Sequence, residues 1–337
     1  MNTRKSTFLG VFAVSALLLG GCSGDEASTP SAASAPDTRR DSATLASTSP
    51  LTGLPAKDGL PEHPVFVVKV DNTPGAAPQV GLASADLVVE QLVEGGLTRL
   101  AAFYYSQTPA EVGPVRSMRA TDIGIVKPVG GTLVASGGAQ RTIKKIDAAG
   151  VPVKSEEAGD VGLLSQDPAR VIPYDRIGDL KTLAEASKAQ DPPPAYLPFG
   201  DEADLEAAKP AVQLSVSFSG THQTEWAFAG GHYTRQNGLA ADGEEFVADN
   251  LLVLEAEVQD AGYVDAAGSG VPETIFSGTG KARLFSDGKV VAGTWAKKSL
   301  DSALTLESSS DEELTIPPGK SWIELVPDDA GKVTIER

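Results

Sequence analysis

The sequence predicts an α+β protein, with a mixed α/β N-terminal domain over residues 55–190 and a mostly antiparallel β domain over residues 211–337. Three observations lead to this prediction. A length of 337 residues allows about two domains of ordinary size. Strand-like runs alternate with helical segments up to residue 190, whereas nearly every run beyond residue 211 is strand-like. The proline-rich stretch at 191–210 then reads as the connection between the two domains.

The composition excludes several classes of function. Lys and Arg number 28 against 45 for Asp and Glu, and the formal net charge is -17. A chain this acidic has no general electrostatic attraction for nucleic acid, so no nucleic-acid partner is expected. One cysteine and three histidines rule out an internal disulfide and a thiolate zinc site. We therefore predict neither a metal nor a cofactor.

The amino terminus carries a targeting signal. Arg4 and Lys5 precede an apolar run from Phe8 to Leu19, which ends in Leu19-Gly20-Gly21-Cys22. This order is typical of a secretory signal, and its end resembles a bacterial lipobox. The resemblance implies a signal peptide over 1–21, lipidation and acylation at Cys22, and a lipid-anchored protein on the extracytoplasmic face of the cell membrane. The alternatives are a secretory signal with a free thiol or a transmembrane helix, for which about a dozen apolar residues are too few.

Residues 22–54 are rich in Ser, Ala, Thr, Asp and Pro and hold almost no large apolar side chain. Such a composition cannot offset its own ordering entropy. We expect a disordered tether here, the alternative being an ordered arm packed on the folded body.

A strand, a turn and a hairpin open the N-terminal domain. Val65–Val70 is a β-branched run closed by turn-forming residues, and Gly95-Gly96 separates the strand-like segments 86–94 and 97–105. A two-residue turn would place Arg99 diagonally between Glu90 and Glu94 on one face. This predicts either an ion cluster that sets the register or an arginine held rigid to meet a ligand.

Further arginines follow at helix and turn positions. Ser117 is a candidate N-cap, which places Arg119 in the first helical turn and Arg116 just outside it, where cations oppose the helix dipole. A bound anion would stabilise them, and so would an ion pair with Asp122 or Glu111. Arg141 begins a helix after the Gly137-Gly138 turn. Six of the twelve arginines lie between residues 99 and 176.

These arginines form a candidate anion-binding set. The predicted ligand-binding residues are Arg99, Arg116, Ser117, Arg119, Arg141 and Arg170, supported by Glu90 and Glu94. No catalytic residue is predicted.

The C-terminal domain is expected to be a sandwich or small barrel of short strands. Ser286 and Lys289 match a Ser-x-x-Lys pattern, but Asp287-Gly288 between two alternating runs indicates a hairpin turn instead. Each of the three tryptophans lies in a strand-like run and is expected in the core.

Several blocks together resemble a known family. They are Asp71-Asn72, Pro78-Gln79-x-Gly81-Leu82, Ala85-Asp86-x-Val88-x-Glu90, Glu94-Gly95-Gly96-x-Thr98-Arg99, Gly113-Pro114-Val115-Arg116-Ser117-x-Arg119 and Arg170-x-x-Pro173-Tyr174. They resemble the YerB-like bacterial lipoproteins, a family without an established biochemical function. The resemblance implies an envelope lipoprotein with an α/β first domain and a mostly β second domain. The sequence departs from the family at Asp175, where asparagine is frequent, and at Ser136, where histidine is common.

Taken together, the sequence predicts a membrane-anchored binding or assembly factor of the cell envelope that acts on a protein or glycopolymer partner. The alternative is an enzyme or sensor whose arginine cluster grips the phosphate or pyrophosphate of a lipid-linked glycan. That alternative rests on a similarity between binding sites and not on common ancestry.

Overall fold

The computed structural model describes residues 47–336, except 161, 201–207, 266–267 and 311. The predicted signal peptide, Cys22 and the predicted tether up to residue 46 lie outside the described residues. The last part of that tether, 47–54, is folded, because strand β1 (Ser47–Thr48) pairs with β2 (Pro55–Ala56) and Leu51 is fully buried. The folded part therefore begins before residue 55.

The described part of the N-terminal half, residues 47–200 without 161, combines strands with three short α-helices. Its further strands are β3 (Phe66–Asp71), β4 (Leu87–Leu92), β5 (Thr98–Tyr104), β6 (Thr132–Val134), β7 (Val153–Lys154), β8 (Leu164–Gln166) and β9 (Arg176–Gly178). The helices are α1 (Asp122–Val126), α2 (Gln140–Ala148) and α3 (Leu180–Ala186). The predicted strand, glycine turn and helix around residues 130–146 and the predicted helix near residue 180 are confirmed.

The described part of the C-terminal half, from residue 208, contains strands and no α-helix. The strands are β10 (Lys209–Pro210), β11 (Gln213–Ser217), β12 (Gln223–Ala229), β13 (His232–Arg235), β14 (Asn250–Ala256), β15 (Val258–Val264), β16 (Gly270–Thr274), β17 (Gly278–Ser286), β18 (Lys289–Lys297), β19 (Thr305–Ser308), β20 (Ser321–Pro327) and β21 (Lys332–Glu336). The Asp287-Gly288 turn joins β17 to β18, as predicted, with Ser286 opposite Lys289.

One large sheet runs through both halves of the chain. Its strands lie in the order β10, β18, β17, β14, β20, β4, β5, β3, β6 and β7, and β19 also pairs with β18. The junction is β20, which runs parallel to β14 on one side and to β4 on the other. The expectation of a separate sandwich or barrel is therefore wrong: C-terminal strands extend the N-terminal sheet. The runs of β14 and β20 carry no signal for which sheet they join, because strands buried on both faces look alike in sequence.

The large sheet is covered on both faces. Side chains of α1 and α2 belong to the hydrophobic cluster on one face. The other face packs against a four-stranded sheet of order β13, β12, β11 and β21, and against α3. Strands β3, β5 and β20 are buried along their whole length. Trp226, Trp295 and Trp322 are buried in these two clusters, as predicted.

A hairpin formed by β15 and β16 leaves the end of β14 and packs on the N-terminal half. We call it the arm. The Arg141 guanidinium donates to the Gly262 carbonyl, the Thr142 hydroxyl lies 2.5 Å from the Tyr263 hydroxyl, and the Lys145 Nζ lies 2.6 Å from Glu273 Oε2. The arm thereby fixes α2 to the C-terminal half.

The shared sheet predicts that the two halves unfold together. Ile323 is fully buried in β20, and truncation of such a side chain costs about 2–5 kcal/mol. We expect Ile323→Ala to reduce hydrogen-exchange protection in β3 and β5 as much as in β14. Val212→Ala, at a valine that is 49% exposed, is the control. A loss of protection confined to β14 and β17 would contradict a common cooperative unit.

Candidate functional site

The connection between β4 and β5 decides which side chains share a face of the sheet. Glu94–Gly96 form a turn of 3-10 helix in which both glycines have a φ of 71°, a conformation that favours glycine. The turn is longer than the predicted two residues, so Arg99 lies opposite Gln91 instead of Leu92, and Glu90 lies opposite Leu100. A shift of one residue places side chains on opposite faces. The predicted neighbourhood of Glu90 and Arg99 is therefore wrong, whereas that of Glu94 and Arg99 is confirmed.

Glu94 holds two of the predicted arginines on one face of the sheet. Its Oε1 lies 3.2 Å from Arg99 Nη2 and also contacts Arg119 Nη2, while its Oε2 accepts from Arg119 Nε at 2.9 Å. Burial acts to raise the pKa of Glu94, but the hydrogen bond and charge of Arg119 outweigh it, and the pKa is lowered. Burial and the charge of Arg119 lower the pKa of Arg99 to about 10. Glu94 is thus the carboxylate that pairs with both arginines.

Asp122, the first residue of α1, is the acceptor for several buried polar groups near Glu94 and its two arginines. Lys69 Nζ lies 2.8 Å from Asp122 Oδ1, and Gln91 Nε2 donates to the same oxygen at 2.6 Å. The backbone N–H of Arg119 donates to Asp122 Oδ2 at 2.7 Å. Burial lowers the pKa of Lys69, opposed by the charge of Asp122. The helix begins here with Thr121 as its N-cap residue, so the prediction that Ser117 caps it is wrong.

Arg116 is the most exposed of the three clustered arginines. Its Nε lies 2.8 Å from Asp71 Oδ2, and its Nη1 donates to the Pro173 carbonyl at 3.1 Å. The guanidinium carbon lies 5.7 Å from the centre of the Tyr174 ring. Asp71 is held in turn by the backbone N–H and hydroxyl of Thr73. The side chain of Arg116 is 20% exposed, against 7% for Arg99 and 9% for Arg119.

A cleft of about 260 Å³ opens beside Arg99 and Arg116. We call it the cationic cleft. Its polar walls include Asp71, Thr73, Glu94, Thr98, Arg99, Arg116 and Tyr174, together with Asp265 and Ser269 from the tip of the arm. Asp265 Oδ1 accepts the Ser269 N–H at 2.8 Å within the arm. Both halves of the chain thus form the walls of the cleft.

The structure brings together only part of the predicted anion-binding set. Arg99 and Arg119 both donate to the Ser117 carbonyl, at 3.1 Å and 3.3 Å, so Ser117 contributes its main chain. Arg141 contacts the arm through Gly262 and does not line the cationic cleft. Arg170 lies outside the lining too, bound to Asp167 and to two carbonyls of residues 76 and 78.

A second polar cluster lies on the opposite face of the same strands, and the sequence reasoning missed it. Glu90 is fully buried and its Oε1 accepts from Asn72 Nδ2 at 2.9 Å and from the Thr98 hydroxyl at 2.7 Å. His222 Nε2 lies 2.8 Å from the same oxygen, and Arg235 Nη1 lies 3.4 Å from Glu90 Oε2. The last two residues come from the four-stranded sheet, so no local spacing could have indicated them.

Glu324 stands beside Glu90 in the parallel pairing of β20 with β4. Its Oε1 accepts from the Thr224 hydroxyl at 2.6 Å and from Trp226 Nε1 at 2.8 Å. Its Oε2 is buried and has no hydrogen-bond partner among the described residues. Burial and the neighbouring charge of Glu90 raise the pKa of Glu324 to about 8. Glu324 is therefore mostly protonated at neutral pH, beside a Glu90 whose pKa is lowered: burial acts to raise it, but the charge of Arg235 and the hydrogen bond from His222 outweigh that.

The raised pKa of Glu324 predicts a stability that falls as the pH rises. Its pKa in the folded protein lies above the ordinary value of 4.5. The contribution of Glu324 to the free energy of unfolding is therefore complete below about pH 4.5 and is lost as the pH rises towards 8. The slope from one such group is at most about 1.4 kcal/mol per pH unit. We expect Glu324→Gln, which mimics the protonated form, to flatten the decline of the thermal midpoint between pH 5 and pH 8. The exposed Glu185→Gln is the matched control, and an equal decline in both variants would contradict the assignment.

No group of three or more His, Cys, Asp or Glu side chains placed to hold a metal ion occurs among residues 47–336 as far as they are described. In the same part of the chain, no helix has the length and apolarity needed to cross a membrane.

Comparison with known proteins identifies the family. Residues 51–193 match the description "Protein of unknown function (DUF3048) N-terminal domain", and residues 212–323 match the corresponding C-terminal domain. The "Putative lipoprotein YerB" of Bacillus subtilis (strain 168) is 26% identical over 303 residues, which cover 85% of this chain and 88% of the relative. The crystal structure of the YerB protein from Bacillus subtilis superposes with a TM-score of 0.71 at 25% identity, over 86% of this chain and 99% of that one. These matches confirm the resemblance seen in the sequence blocks, and the chain belongs to the YerB-like family with its DUF3048 N- and C-terminal domains.

Proposed function

We propose that this chain is a lipid-anchored, extracytoplasmic binding factor of the cell envelope whose cationic cleft holds an anionic group of its ligand. The lipobox-like ending at Cys22 and the relative named as a lipoprotein support the anchor. The two arginines that line the cleft support the binding of an anion. Its ligand is then an envelope molecule that carries phosphate or carboxylate, such as an anionic glycopolymer.

The observation that carries this proposal is the position of Arg116 at the cleft. Nε of Arg116 pairs with Asp71 and Nη1 with the Pro173 carbonyl, which holds the guanidinium in place at the cleft. Its remaining nitrogen, Nη2, carries two N–H groups that can donate charge-assisted hydrogen bonds to phosphate or carboxylate. The anchoring also means that little side-chain entropy is lost on binding.

Four cations gather around Arg116. Lys69, Arg99, Arg116 and Arg119 lie close together, paired with Asp71, Glu94 and Asp122. Burial, and after it the charge of Arg119, lowers the pKa of Arg99. In a chain with a net charge of -17, such a grouping of cations supports local binding of an anion. Asp265 is the opposing charge at the rim, and its Oδ1 is hydrogen-bonded within the arm.

A glycopolymer is favoured over a protein partner by the size of the cleft. A volume of about 260 Å³ lies just below the range of roughly 300–1,000 Å³ usual for ligand pockets and suits a phosphate with part of a sugar or polyol. The Tyr174 ring and the Thr73 hydroxyl offer the stacking surface and hydrogen bonds that such a ligand uses.

The test is anion binding by the chain from residue 23 onward, which contains the whole compact unit from residue 45 and lacks Cys22. Thermal shifts with pyrophosphate and sn-glycerol 3-phosphate are measured against sodium chloride of equal ionic strength. A ligand at 100 times its Kd stabilises the protein by about 2.7 kcal/mol. We expect Arg116→Gln to weaken binding by about tenfold or more, as loss of a charge-assisted hydrogen bond requires.

Arg283→Gln is the matched control, because Arg283 pairs with Glu255 on another part of the sheet and lies outside the cleft. Arg116→Lys keeps the charge without the fork and should bind at an intermediate strength. If Arg116→Gln folds and binds both anions as tightly as the natural chain, the cleft is not the anion site. If neither anion shifts the folded protein, an envelope protein becomes the favoured partner.

A further inference from the structure

The loop between β8 and β9 exposes two large aliphatic side chains side by side. Val171 is 72% exposed and Ile172 is 77% exposed. The other exposed large hydrophobic residues of the described chain stand singly in sequence: Leu54, Val212, Val247, Val264 and Leu300. Single exposed apolar residues need no explanation, but an adjacent pair at a loop tip suggests contact with something apolar.

Polar contacts at its base hold this loop in place. Arg170 pairs with Asp167 at 3.0 Å and donates to the carbonyls of Ala76 and Pro78 at 3.2 Å and 2.6 Å. The Tyr174 N–H donates to the Val171 carbonyl at 2.8 Å, closing the tip. The aliphatic pair is therefore presented outward by a braced base instead of folding back on the core.

The same loop continues into the cationic cleft. The carbonyl of Pro173 accepts from Arg116, and the next residue, Tyr174, lines the cleft beneath that guanidinium. Within four consecutive residues, 171–174, the surface passes from two aliphatic side chains to an aromatic ring that lies against the Arg116 guanidinium. A ligand that matches both parts has an anionic head beside a hydrocarbon chain.

We propose that the Val171–Ile172 tip inserts into the hydrocarbon edge of a lipid surface, so that the anionic group bound in the cleft is the head group of a membrane lipid. This inference rests on the proposed function of the cleft and specifies the source of its anion. Binding at a membrane surface grows with the apolar area that is buried and with the attraction of cations to anionic lipids. The net charge of -17 repels the chain as a whole from an anionic surface, so association has to arise locally, from this loop and Arg116.

The test uses the chain from residue 23 onward and vesicles of phosphatidylcholine, either alone or mixed with phosphatidylglycerol, at physiological salt. We expect cosedimentation with the mixed vesicles and much less with phosphatidylcholine alone. The Val171→Asp, Ile172→Asp double variant should bind the mixed vesicles at least about tenfold more weakly, since the burial of the aliphatic side chains is lost. It should bind free pyrophosphate as the natural chain does. Val212→Asp, at another exposed valine, is the control.

A fluorescent probe reports insertion directly. The only cysteine of the sequence is Cys22, so Val171→Cys in this shortened chain carries a single site for an environment-sensitive dye. We expect the emission maximum of the dye to shift to the blue with the mixed vesicles, and no such shift with the same dye on Val212→Cys. Absence of the shift at residue 171 overturns the inference, as does vesicle binding that the aspartate variant leaves unchanged.

The two proposals fail separately. Pyrophosphate binding that depends on Arg116, together with no vesicle binding, overturns the lipid inference and leaves the anion cleft standing. Loop-dependent vesicle binding that is the same with Arg116→Gln and with neutral lipid overturns the head-group assignment. Loss of both vesicle and pyrophosphate binding in Arg116→Gln, with the fold intact, supports the whole proposal.

Discussion

The pairing of β20 with β4 is the contact on which the rest of the structure depends. It places a strand from the end of the chain in the middle of a sheet that begins near residue 66, parallel to both of its neighbours. Without β20, the backbone groups along one edge of β4 would lack partners, and an open edge of that kind is prone to association with other chains. The two family domains are thus two segments of sequence that complete one sheet.

Both polar clusters follow from that sheet. Arg99 and Glu90 lie on adjacent strands but face opposite sides, so one takes part in the cationic cleft and the other in the contact with the four-stranded sheet. Buried charges are tolerated only where they are paired and hydrogen-bonded. Glu90 meets this condition with four partners, whereas the raised pKa of Glu324 favours its neutral form, which avoids a second buried charge. The cleft differs because Arg116, whose side chain is 20% exposed, lines it.

The sequence predicted the local structure well and the long-range structure poorly. The strands before residue 105, the Asp287-Gly288 hairpin and the buried tryptophans follow from periodicity and turn chemistry, and the structure confirms them. The register at Gly95-Gly96 was misjudged because two left-handed glycines fit more than one turn length. The Glu90 cluster was missed because His222 and Arg235 are more than 130 residues away from it in sequence, a separation that no motif spans.

Only part of the predicted arginine set lies close together, for the same reason. Arg116 and Arg119 are close in sequence, and their clustering with Arg99 follows from one hairpin and one short connection. Arg141 and Arg170 share the residue type but lie on other elements, where main-chain carbonyls occupy them. An arginine count therefore indicates the charge of a region and not the composition of a site.

The position of β20 also has a consequence for how the protein is made. The sheet of the N-terminal half cannot be closed until residues 321–327 have left the ribosome, since they form its missing neighbour. Contacts of such long sequence separation form slowly, so the pairing of β20 with β4 is expected among the late steps of folding. Until then the open edge of β4 is available to other chains, which makes the interval before the last strands are synthesised the one in which association is most favoured.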